Sequence, residues 1–417
     1  MDKIVIIGGT ILNGSVEISG AKNAVLPVMA ATLLAPGKYR ISRVPNLRDT
    51  RTMIRLLEII GADISFDDDL LTIDTTGCNN PEAPYDLVKT MRASFYVLGP
   101  LLSRFGYAKV SLPGGCAWGP RPVNLHLSAV QALGAETSLK EGFVVAKGEK
   151  LSGNLINFEI SSVGATGNAV MAAVRAEGET VVKNAAREPE IVALCDFINA
   201  MGGQASGMGT DTLIIRGVKS LQATDFEIIP DRIEAATFLI AGAIMGQTVS
   251  VRGVIPDHIS AVLERLRAAG NDITISTDSV TIKRGKRIRP VDVTTSVYPG
   301  FPTDVQAQWM TLMALADGNS TIVDTIYRDR FTHVSELSRL GAEIKRKDNT
   351  VRVFGTGKLI GAPVMSTDIR ASASLILAGL AAEGRTDISR VYHIDRGYEK
   401  IEDKFRMLGA DIWREAG

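Results

Sequence analysis

Hydrophobic and polar positions along the chain recur in one repeated order. A helix rich in small apolar residues ends near a glycine, a short β-rich run and a loop follow, and a second helix ends in a sequence such as Leu-Gly-Ala before another strand. We expect the glycines of both helices to close them in the left-handed conformation. The repeat predicts six α/β units of about 70 residues each. The first-helix glycines are Gly37, Gly106, Gly178, Gly246, Gly318 and Gly384, and the second-helix glycines are Gly61, Gly134, Gly202, Gly270, Gly341 and Gly409.

Six units predict an α/β fold with two domains of three units each. The 417 residues exceed what a single hydrophobic core usually serves. We expect one domain at residues 22–229 and the other at residues 1–21 plus 230–417, since the leading strands at 1–21 are needed to complete sheets of the second. Ligands favour clefts between domains, so the active site is expected in the cleft between these two.

Composition excludes several classes of partner. Lys plus Arg and Asp plus Glu number 46 each, so no overall charge favours nucleic acid or a membrane surface. No apolar run reaches the roughly 18 residues that span a bilayer, and the N-terminal run is too short for a signal peptide. The cysteines Cys78, Cys116 and Cys195 are odd in number and far apart, which favours reduced thiols in the cytoplasm. The four histidines show no ligand spacing, so no metal site is expected.

Basic residues recur where the first helices should begin. A helix N-terminus already attracts anions, so added cations there indicate an anionic ligand. The alternative is pairing with a nearby acid, as Arg232 could with Asp231 or Glu234. Arginine binds phosphate or carboxylate through paired hydrogen bonds, so a small, multiply charged anion is the inferred ligand. The helix-start residues are Lys22, Arg92, Arg232 and Arg370, and loops after the β-runs add Arg48, Arg121, Arg330 and Arg396.

Three further segments carry candidate chemistry with open alternatives. In "SVGATGNAV", backbone N–H groups of Ser162, Val163 and Gly164 could hold a diphosphate, or Ser162 or Thr166 could simply cap a helix. In "GFPTDVQAQ", Asp304 could act as a general base, or Thr303 and Asp304 could serve only as a helix cap and first turn. In "PGGCAWGPR", Cys116 is either a reactive loop thiol or a buried, inert one.

Over nearly its full length the chain resembles the UDP-N-acetylglucosamine 1-carboxyvinyltransferase family. The segments that carry the resemblance are "SGAKNA", "PGGCAWGPRPVNLH", "SVGAT", "IPDRIEA", "PGFPTDVQAQ", "RFTHVSEL", "RASASLILAGL" and "HIDRGYEKIEDK". The resemblance implies the enolpyruvyl transferase fold, an inside-out α/β barrel in which each domain places three α/β units around a pseudo-threefold axis. It also implies a cytoplasmic transferase that moves the enolpyruvyl group of phosphoenolpyruvate to the 3′-hydroxyl of UDP-N-acetylglucosamine and releases phosphate. This is the first committed step of peptidoglycan precursor synthesis. The resemblance implies that the reaction needs no metal or organic cofactor, and we expect a monomer to perform it.

The resemblance also assigns roles to individual residues. Lys22 and Asn23 would bind phosphoenolpyruvate. Cys116 would protonate its methylene carbon or capture it covalently and would be alkylated by fosfomycin, while Asp304 would accept the sugar hydroxyl proton. The phosphate would lie near Lys22, Arg121 and Arg396, and the carboxylate near Arg330 and Arg370, with Asp368 as a further substrate-binding residue. UDP-sugar contacts would fall on Arg92, Arg121, Pro122, Val123, Asn124, Leu125, Ser162, Val163, Gly164, Asp304 and the backbone of Ile326.

Some positions depart from the family, and two other functions remain possible at this stage. Asn124 stands where aspartate is usual at the uracil contact, and Ile160 where many members have lysine. Arg48 replaces a common lysine, and Trp118 and Pro120 stand where smaller or less rigid residues are common. The alternatives are the sister enzyme that uses shikimate 3-phosphate as acceptor and a non-catalytic homologue that only binds the UDP-sugar.

Overall fold

The chain folds into two compact units. The computed structural model describes residues 2–112 and 123–416. One unit, called here the central unit, is Gly20–Ile229, and the other, the terminal unit, combines Met1–Ser19 with Pro230–Gly417. The sequence places these boundaries after residues 21 and 229, whereas the units change after residues 19 and 229.

The chain opens with two strands of the terminal unit and then builds the central unit. These strands are β1 (Lys3–Ile7) and β2 (Leu12–Glu17). The central helices are α1 (Lys22–Ala31), α2 (Arg48–Ile60), α3 (Tyr85–Val88), α4 (Leu98–Phe105), α5 (Asn124–Ala132), α6 (Val163–Ala173) and α7 (Pro189–Ala200), with 3₁₀ helices at Thr32–Leu34 and Arg92–Val97. The central strands are β3 (Lys38–Ser42), β4 (Asp63–Asp67), β5 (Leu70–Asp74), β6 (Glu82–Ala83), β7 (Tyr107–Ser111), β8 (Glu136–Lys140), β9 (Phe143–Lys147), β10 (Leu155–Asn157), β11 (Glu179–Lys183), β12 (Gln204–Ser206), β13 (Thr212–Arg216) and β14 (Phe226–Glu227).

The rest of the terminal unit repeats the same alternation. Its helices are α8 (Arg232–Met245), α9 (Ser260–Ala268), α10 (Gln306–Ala314), α11 (His333–Arg339), α12 (Ile369–Ala381) and α13 (Ile401–Met407), with 3₁₀ helices at Pro256–Ile259, Thr303–Val305 and Val391–Arg396. Its strands are β15 (Gly246–Arg252), β16 (Asp272–Ile275), β17 (Ser279–Lys283), β18 (Val293–Thr294), β19 (Asn319–Val323), β20 (Glu343–Lys347), β21 (Thr350–Phe354), β22 (Pro363–Met365), β23 (Arg385–Ser389) and β24 (Asp411–Glu415).

The described strands form six four-stranded sheets that share one topology. In each sheet the first pair along one edge is parallel and the two following pairs are antiparallel. The central sheets have the orders β14-β3-β5-β4, β6-β7-β9-β8 and β10-β11-β13-β12, and the terminal sheets β2-β15-β17-β16, β18-β19-β21-β20 and β22-β23-β1-β24. The sixfold repeat in the sequence therefore corresponds to six equivalent sheets.

The first two strands separate and complete two different sheets of the terminal unit. Strand β1 lies between β23 and β24, with Val5 opposite Asp387 on one side and Trp413 on the other. Strand β2 runs parallel to β15, with Val16 opposite Val251. The sequence assigns both strands to this unit but does not indicate that they part. Without them two sheets would expose unpaired strand edges.

Helices pack against one another in the core of each unit. In the terminal unit α8, α10 and α12 contact one another, and all nine residues of α10 are buried. In the central unit α4 packs on α6, and the 3₁₀ helix Arg92–Val97 contacts both α1 and α6. Within the described residues no helix combines the length and apolar character needed to cross a membrane.

The glycine predictions divide into two outcomes. All six second-helix glycines have positive φ, from 93° at Gly341 to 110° at Gly61, and this prediction is confirmed. It is wrong for two first-helix glycines, because Gly246 has φ −78° and Gly318 lies outside the left-handed region. At these two positions glycine instead allows another part of the chain to approach the backbone closely. A Cβ at Gly246 would lie 2.4 Å from the Gly242 carbonyl oxygen, and one at Gly318 would lie 3.0 Å from Pro290 Cγ.

Candidate active site

Three of the predicted site residues fall in the segment 113–122, outside the described residues. They are Cys116, Arg121 and Pro122. Their predicted roles therefore stay predictions. The remaining candidates divide between the central unit and the terminal unit, and each group is considered within its own unit.

In the terminal unit, two arginines converge on the carboxylate of Asp304. Nη1 of Arg330 donates to Oδ1 at 2.6 Å, and Nη2 of Arg370 donates to Oδ2 at 2.7 Å. Asp304 is the middle residue of the 3₁₀ helix Thr303–Val305, Arg370 is the second residue of α12, and Arg330 lies in the loop after β19. The side chain of Arg370 is only 6% exposed and that of Arg330 13%. Three separate segments of the chain thus position one ion triad.

The triad fixes the charge of Asp304. Burial by itself would raise the pKa of the carboxyl, but the positive charges of Arg370 and Arg330 outweigh it and hold the pKa well below its ordinary value. The carboxylate is therefore anionic at neutral pH. While both oxygens accept charged hydrogen bonds, it is also a weak proton acceptor.

The structure does not support the interpretation of Thr303 as a helix cap. The 3₁₀ helix that it begins has Pro302 in the capping position and no side-chain cap. Thr303 Oγ1 instead donates to Asp324 Oδ2 at 2.8 Å and accepts a hydrogen bond from Arg330 Nη1 at 3.2 Å. A buried carboxylate competes better for this hydroxyl than a helix terminus does.

Asp324 is an organising residue that the sequence reading missed. It is fully buried at the end of β19 and accepts hydrogen bonds from the Thr295 hydroxyl at 2.9 Å and the Thr303 hydroxyl at 2.8 Å. It also accepts the N–H groups of Ile326 at 2.9 Å and Tyr327 at 2.8 Å. The N–H of Ile326 is therefore engaged within the protein, so a ligand contact at this backbone would use its carbonyl. An acidic residue directly after the β-rich run "STIV" is the signal that could have revealed it.

A second group of polar side chains lies behind Arg370 and was also missed. The hydroxyl of Tyr398 lies 2.8 Å from Thr237 Oγ1, and it accepts from Gln308 Nε2 at 3.3 Å and from Arg370 Nη1 at 3.4 Å. Thr237 donates its own proton to the Ile233 carbonyl at 2.9 Å, so the proton between the two hydroxyls comes from Tyr398. Since Tyr398 is 2% exposed, these bonds have no competition from bulk water. The hydroxyl of Tyr398 is thus oriented as an acceptor for Arg370.

Asp368 and Arg396 lie on neighbouring elements of the same unit. Asp368 is the N-cap of α12, where its Oδ1 accepts the N–H groups of Arg370 at 2.8 Å and Ala371 at 3.2 Å. The structure thus gives this predicted substrate-binding residue a helix-capping role. Arg396 is the last residue of the 3₁₀ helix Val391–Arg396 and is half-buried.

The four predicted helix-start cations all stand in the first or second position of a helix. Lys22 begins α1, Arg92 begins the 3₁₀ helix Arg92–Val97, Arg232 begins α8 and Arg370 is second in α12. Lys22 is 9% exposed, and its Nζ lies 2.7 Å from Oδ2 of Asp49 in α2. Acidic partners therefore compensate Lys22 and Arg370, and those partners come from other elements of the chain. Asn23 follows Lys22 in α1 and is partly exposed.

The remaining central-unit candidates lie at the starts of α5 and α6. Val123 precedes α5, while Asn124 and Leu125 are its first two residues. Ser162 caps α6, its Oγ accepting the Ala165 N–H at 3.3 Å, and Val163 and Gly164 are the first two helical residues. The capping interpretation is confirmed for Ser162 and wrong for Thr166, whose buried hydroxyl accepts the Ala186 N–H at 3.0 Å. Ile160, two residues before the cap, is 66% exposed.

Comparison with known proteins adds independent evidence on the family of this chain. Residues 6–405 match the family described as EPSP synthase (3-phosphoshikimate 1-carboxyvinyltransferase). A UDP-N-acetylglucosamine 1-carboxyvinyltransferase of Chlorobaculum parvum is 56% identical, covering 100% of this chain and 99% of that protein. The protein of the same name from Prosthecochloris aestuarii is 55% identical, with coverage of 100% and 98%.

Solved structures share the fold. The enolpyruvyl transferase NikO from Streptomyces tendae superposes with a TM-score of 0.89 at 26% identity, covering 100% of this chain and 99% of that one. EPSP synthase from Acinetobacter baumannii gives a TM-score of 0.77 at 18% identity, with full coverage of both chains. The two-domain enolpyruvyl transferase fold expected from the sequence is therefore confirmed.

Proposed function

Because the chain belongs to the family of UDP-N-acetylglucosamine 1-carboxyvinyltransferases, we propose that it transfers the enolpyruvyl group of phosphoenolpyruvate to the 3′-hydroxyl of UDP-N-acetylglucosamine. The other product is inorganic phosphate. This is the first committed step of peptidoglycan precursor synthesis, and we place it in the cytoplasm with the enzyme acting as a monomer. The relatives that carry this name are matched along their whole length, which supports the transfer of the complete activity.

The proposed reaction is an addition followed by an elimination. The 3′ oxygen of the sugar forms a bond to C2 of phosphoenolpyruvate, its proton passes to a base, and the C3 methylene takes a proton from an acid. The tetrahedral adduct then loses phosphate through cleavage of the bond between C2 and the phosphate oxygen. C3 gives up a proton to restore the double bond. Cationic groups that stabilise the departing phosphate lower the barrier of the second step.

The observation that carries the proposal is the convergence of Arg330 and Arg370 on Asp304. Two largely buried guanidiniums that donate to one carboxylate can also donate to the carboxylate of phosphoenolpyruvate. We propose that the substrate carboxylate takes over hydrogen bonds from both arginines when it binds. Asp304 then loses its strongest stabilising charges, its pKa rises, and it can accept the proton of the 3′-hydroxyl. In this account the base becomes competent only beside bound substrate.

The other candidates take roles that suit their positions. We assign Lys22, Asn23, Arg121 and Arg396 to the phosphate end of phosphoenolpyruvate and Cys116 to proton donation at C3 or covalent capture. A thiol is mostly protonated at neutral pH and can serve both purposes. Ser162, Val163 and Gly164 present the N-terminus of α6, a favourable place for a diphosphate. We assign the UDP moiety to these three residues together with Arg92, Arg121, Pro122, Val123, Asn124 and Leu125, the sugar to Asp304 and the carbonyl of Ile326, and Asp368 to the support of Arg370.

Product identification tests the proposal. The protein is incubated with phosphoenolpyruvate carrying ¹³C at C3 and with UDP-N-acetylglucosamine, and the nucleotide sugar is analysed by mass spectrometry and ¹³C NMR. We expect the label to appear as a vinyl carbon in an ether of the UDP-sugar. Recovery of both substrates unchanged would refute the proposed activity.

A further inference from the structure

His126 is a buried histidine whose second ring nitrogen faces the start of α6. It is the third residue of α5 and is 5% exposed. A Cβ built on Gly164 would lie 3.0 Å from its Cε1 and 3.2 Å from its Nε2, so the imidazole packs closely against this glycine. Across residues 2–112 and 123–416, the one hydrogen bond made by His126 goes to its Nδ1. Nε2 is therefore directed at the N-terminus of α6 without a partner in that part of the protein.

Asn168 determines whether Nε2 of His126 is a hydrogen-bond donor or an acceptor. The side chain of Asn168 is fully buried in α6. Its Oδ1 accepts the Gly99 N–H at 2.7 Å, and its Nδ2 donates to the Phe95 carbonyl at 3.1 Å. The opposite orientation of the amide would place N–H against N–H and oxygen against oxygen, so these two backbone groups fix the amide.

The fixed amide leaves one N–H for the histidine. Nδ2 of Asn168 lies 2.8 Å from Nδ1 of His126 and is the donor, because an amide nitrogen cannot accept. Nδ1 must therefore be unprotonated, which places the proton of the neutral ring on Nε2. The ring of Phe95 meets the imidazole edge to face at a centroid distance of 5.0 Å and holds its plane. Both the tautomer and the direction of the ring are thus set by the protein.

The local electrostatics agree with a neutral ring. Burial, with a smaller contribution from the charge of Arg92, lowers the pKa of His126 to about 3. Protonation would also place an N–H on Nδ1 against the N–H of Asn168. The side chain therefore offers one directed donor and no charge at neutral pH.

We propose that His126, with its tautomer fixed by Asn168, donates its Nε2–H to a diphosphate oxygen of the UDP moiety at the N-terminus of α6. This inference rests on the proposed function, because the diphosphate is the ligand assigned to Ser162, Val163 and Gly164. The donor adds to the backbone N–H groups and the helix dipole, which favour an anion at this end of an 11-residue helix. A side chain at Gly164 would press on the imidazole and shift it from this position. Asn168 acts as a positioning residue without touching the ligand.

The tautomer can be read directly from the ¹⁵N NMR spectrum of the full chain labelled on histidine. The chain has four histidines, so the signals of His126 are identified by their loss in His126→Phe. At neutral pH we expect an unprotonated Nδ1 and a protonated Nε2, and we expect the Nε2–H signal to shift when uridine 5′-diphosphate is added. A proton on Nδ1, or on both nitrogens, would overturn the inference.

Calorimetric binding of uridine 5′-diphosphate tests the donor. His126→Phe should weaken binding about 10- to 100-fold, the effect expected for one hydrogen bond to a charged group. His126→Gln, which keeps an N–H donor, should restore part of the loss, and His258→Phe in the terminal unit should bind like the unmodified protein. Equal affinity of His126→Phe and the unmodified chain would refute the role of the donor.

Asn168→Asp tests the positioning role. A carboxylate would accept from Nδ1–H and so reverse the tautomer, which should turn Nε2 into an acceptor and weaken diphosphate binding. If this variant does not fold, the spectrum of the unmodified chain and the His126 variants still decide the question. A chain that shows the expected tautomer but binds neither the diphosphate nor UDP-N-acetylglucosamine would refute the proposed function. Binding with the other tautomer would refute only this inference.

Discussion

Asp304 and Arg370 form a partly buried ion pair in which Nη2 of the arginine lies 2.7 Å from Oδ2 of the carboxylate. Arg330 occupies the other oxygen at 2.6 Å. The proposed catalytic base is therefore held by the same two arginines to which we assign the substrate carboxylate. One anion must replace another before the base can act, which links proton transfer to occupancy of the phosphoenolpyruvate site.

Replacing Asp304 by asparagine should remove activity and lower stability together. We expect turnover to fall at least about 100-fold, the usual contribution of a general base. The free energy of unfolding at neutral pH should fall by about 3 kcal/mol, because two buried guanidiniums lose their carboxylate. Steady-state kinetics and chemical denaturation measure the two effects. Wild-type turnover in Asp304→Asn would exclude this residue as the base.

The stability difference should depend on pH in a defined direction. The pKa of Asp304 is depressed in the folded protein, so its contribution is complete above the ordinary carboxyl pKa of about 3.9 and is lost as the pH falls through the folded value. Asp304→Asn and the unmodified chain should thus differ most near neutral pH and converge in strong acid. Denaturation curves collected over this range check the sign. A difference that grows toward acid would contradict the assignment.

Tyr398→Phe should weaken the use of phosphoenolpyruvate more than that of the UDP-sugar. The change removes the acceptor for Nη1 of Arg370 and leaves this buried donor unsatisfied at a cost of about 1–3 kcal/mol. Gln308 Nε2 keeps its hydrogen bonds to Thr237 Oγ1 and to the Asp304 carbonyl, both at 3.1 Å. The guanidinium of Arg370 should then be held less firmly in its orientation. This should raise the KM for phosphoenolpyruvate while the KM for UDP-N-acetylglucosamine stays unchanged. Tyr85→Phe, at a 53% exposed position, is the matched control. Equal changes in both KM values would indicate a general structural defect instead.

Fosfomycin should alkylate one cysteine only. Cys195 is fully buried, and burial raises the pKa of its thiol to about 12, while Cys78 is 5% exposed with its pKa also raised by burial. Neither offers an accessible thiolate, so Cys116 is the expected target. Intact-mass spectra with UDP-N-acetylglucosamine present should show a single adduct on the unmodified chain and none on Cys116→Ala, which should also lose turnover. An adduct on Cys116→Ala would show that another group reacts.

Ile160→Lys should tighten binding of the UDP-sugar. Ile160 is 66% exposed two residues before the cap of α6. An added cation at an exposed position contributes up to about 1 kcal/mol, so affinity should rise up to about fivefold and the gain should shrink at high salt. Calorimetry at two ionic strengths measures this. Weaker binding, or a gain that does not depend on salt, would place the diphosphate elsewhere.

Periodic and local features of the fold could be predicted from the sequence. The small-residue helices and their glycines repeat six times, so the α/β units and the helix-start cations such as Lys22 and Arg370 follow from spacing alone. The separation of β1 and β2 into different sheets could not be predicted, because their partners lie far away in the chain. Ile4 pairs with Ile388 and Val16 with Val251, and such distant pairing leaves no local pattern. Gly246 and Gly318 show a related limit of the sequence. Glycine is favoured both where φ is positive and where another part of the chain approaches closely, and the sequence does not distinguish these two causes.

The candidate site was predictable where a residue acts by its own chemistry. Asp304, Arg330 and Arg370 are such residues, since charged groups near helix starts are visible in the chain. Asp324 and Tyr398 act through hydrogen bonds to groups between 2 and 161 positions away, so their roles depend on the fold. The same reason hides Asn168, whose partners Phe95 and His126 lie 73 and 42 positions away.

Phosphate release from phosphoenolpyruvate, measured with two acceptors in turn, tests the central claim most directly. We predict release with UDP-N-acetylglucosamine and none with shikimate 3-phosphate. Release only with shikimate 3-phosphate would assign the chain to the sister activity, and release with neither acceptor would contradict the proposed enzyme function altogether.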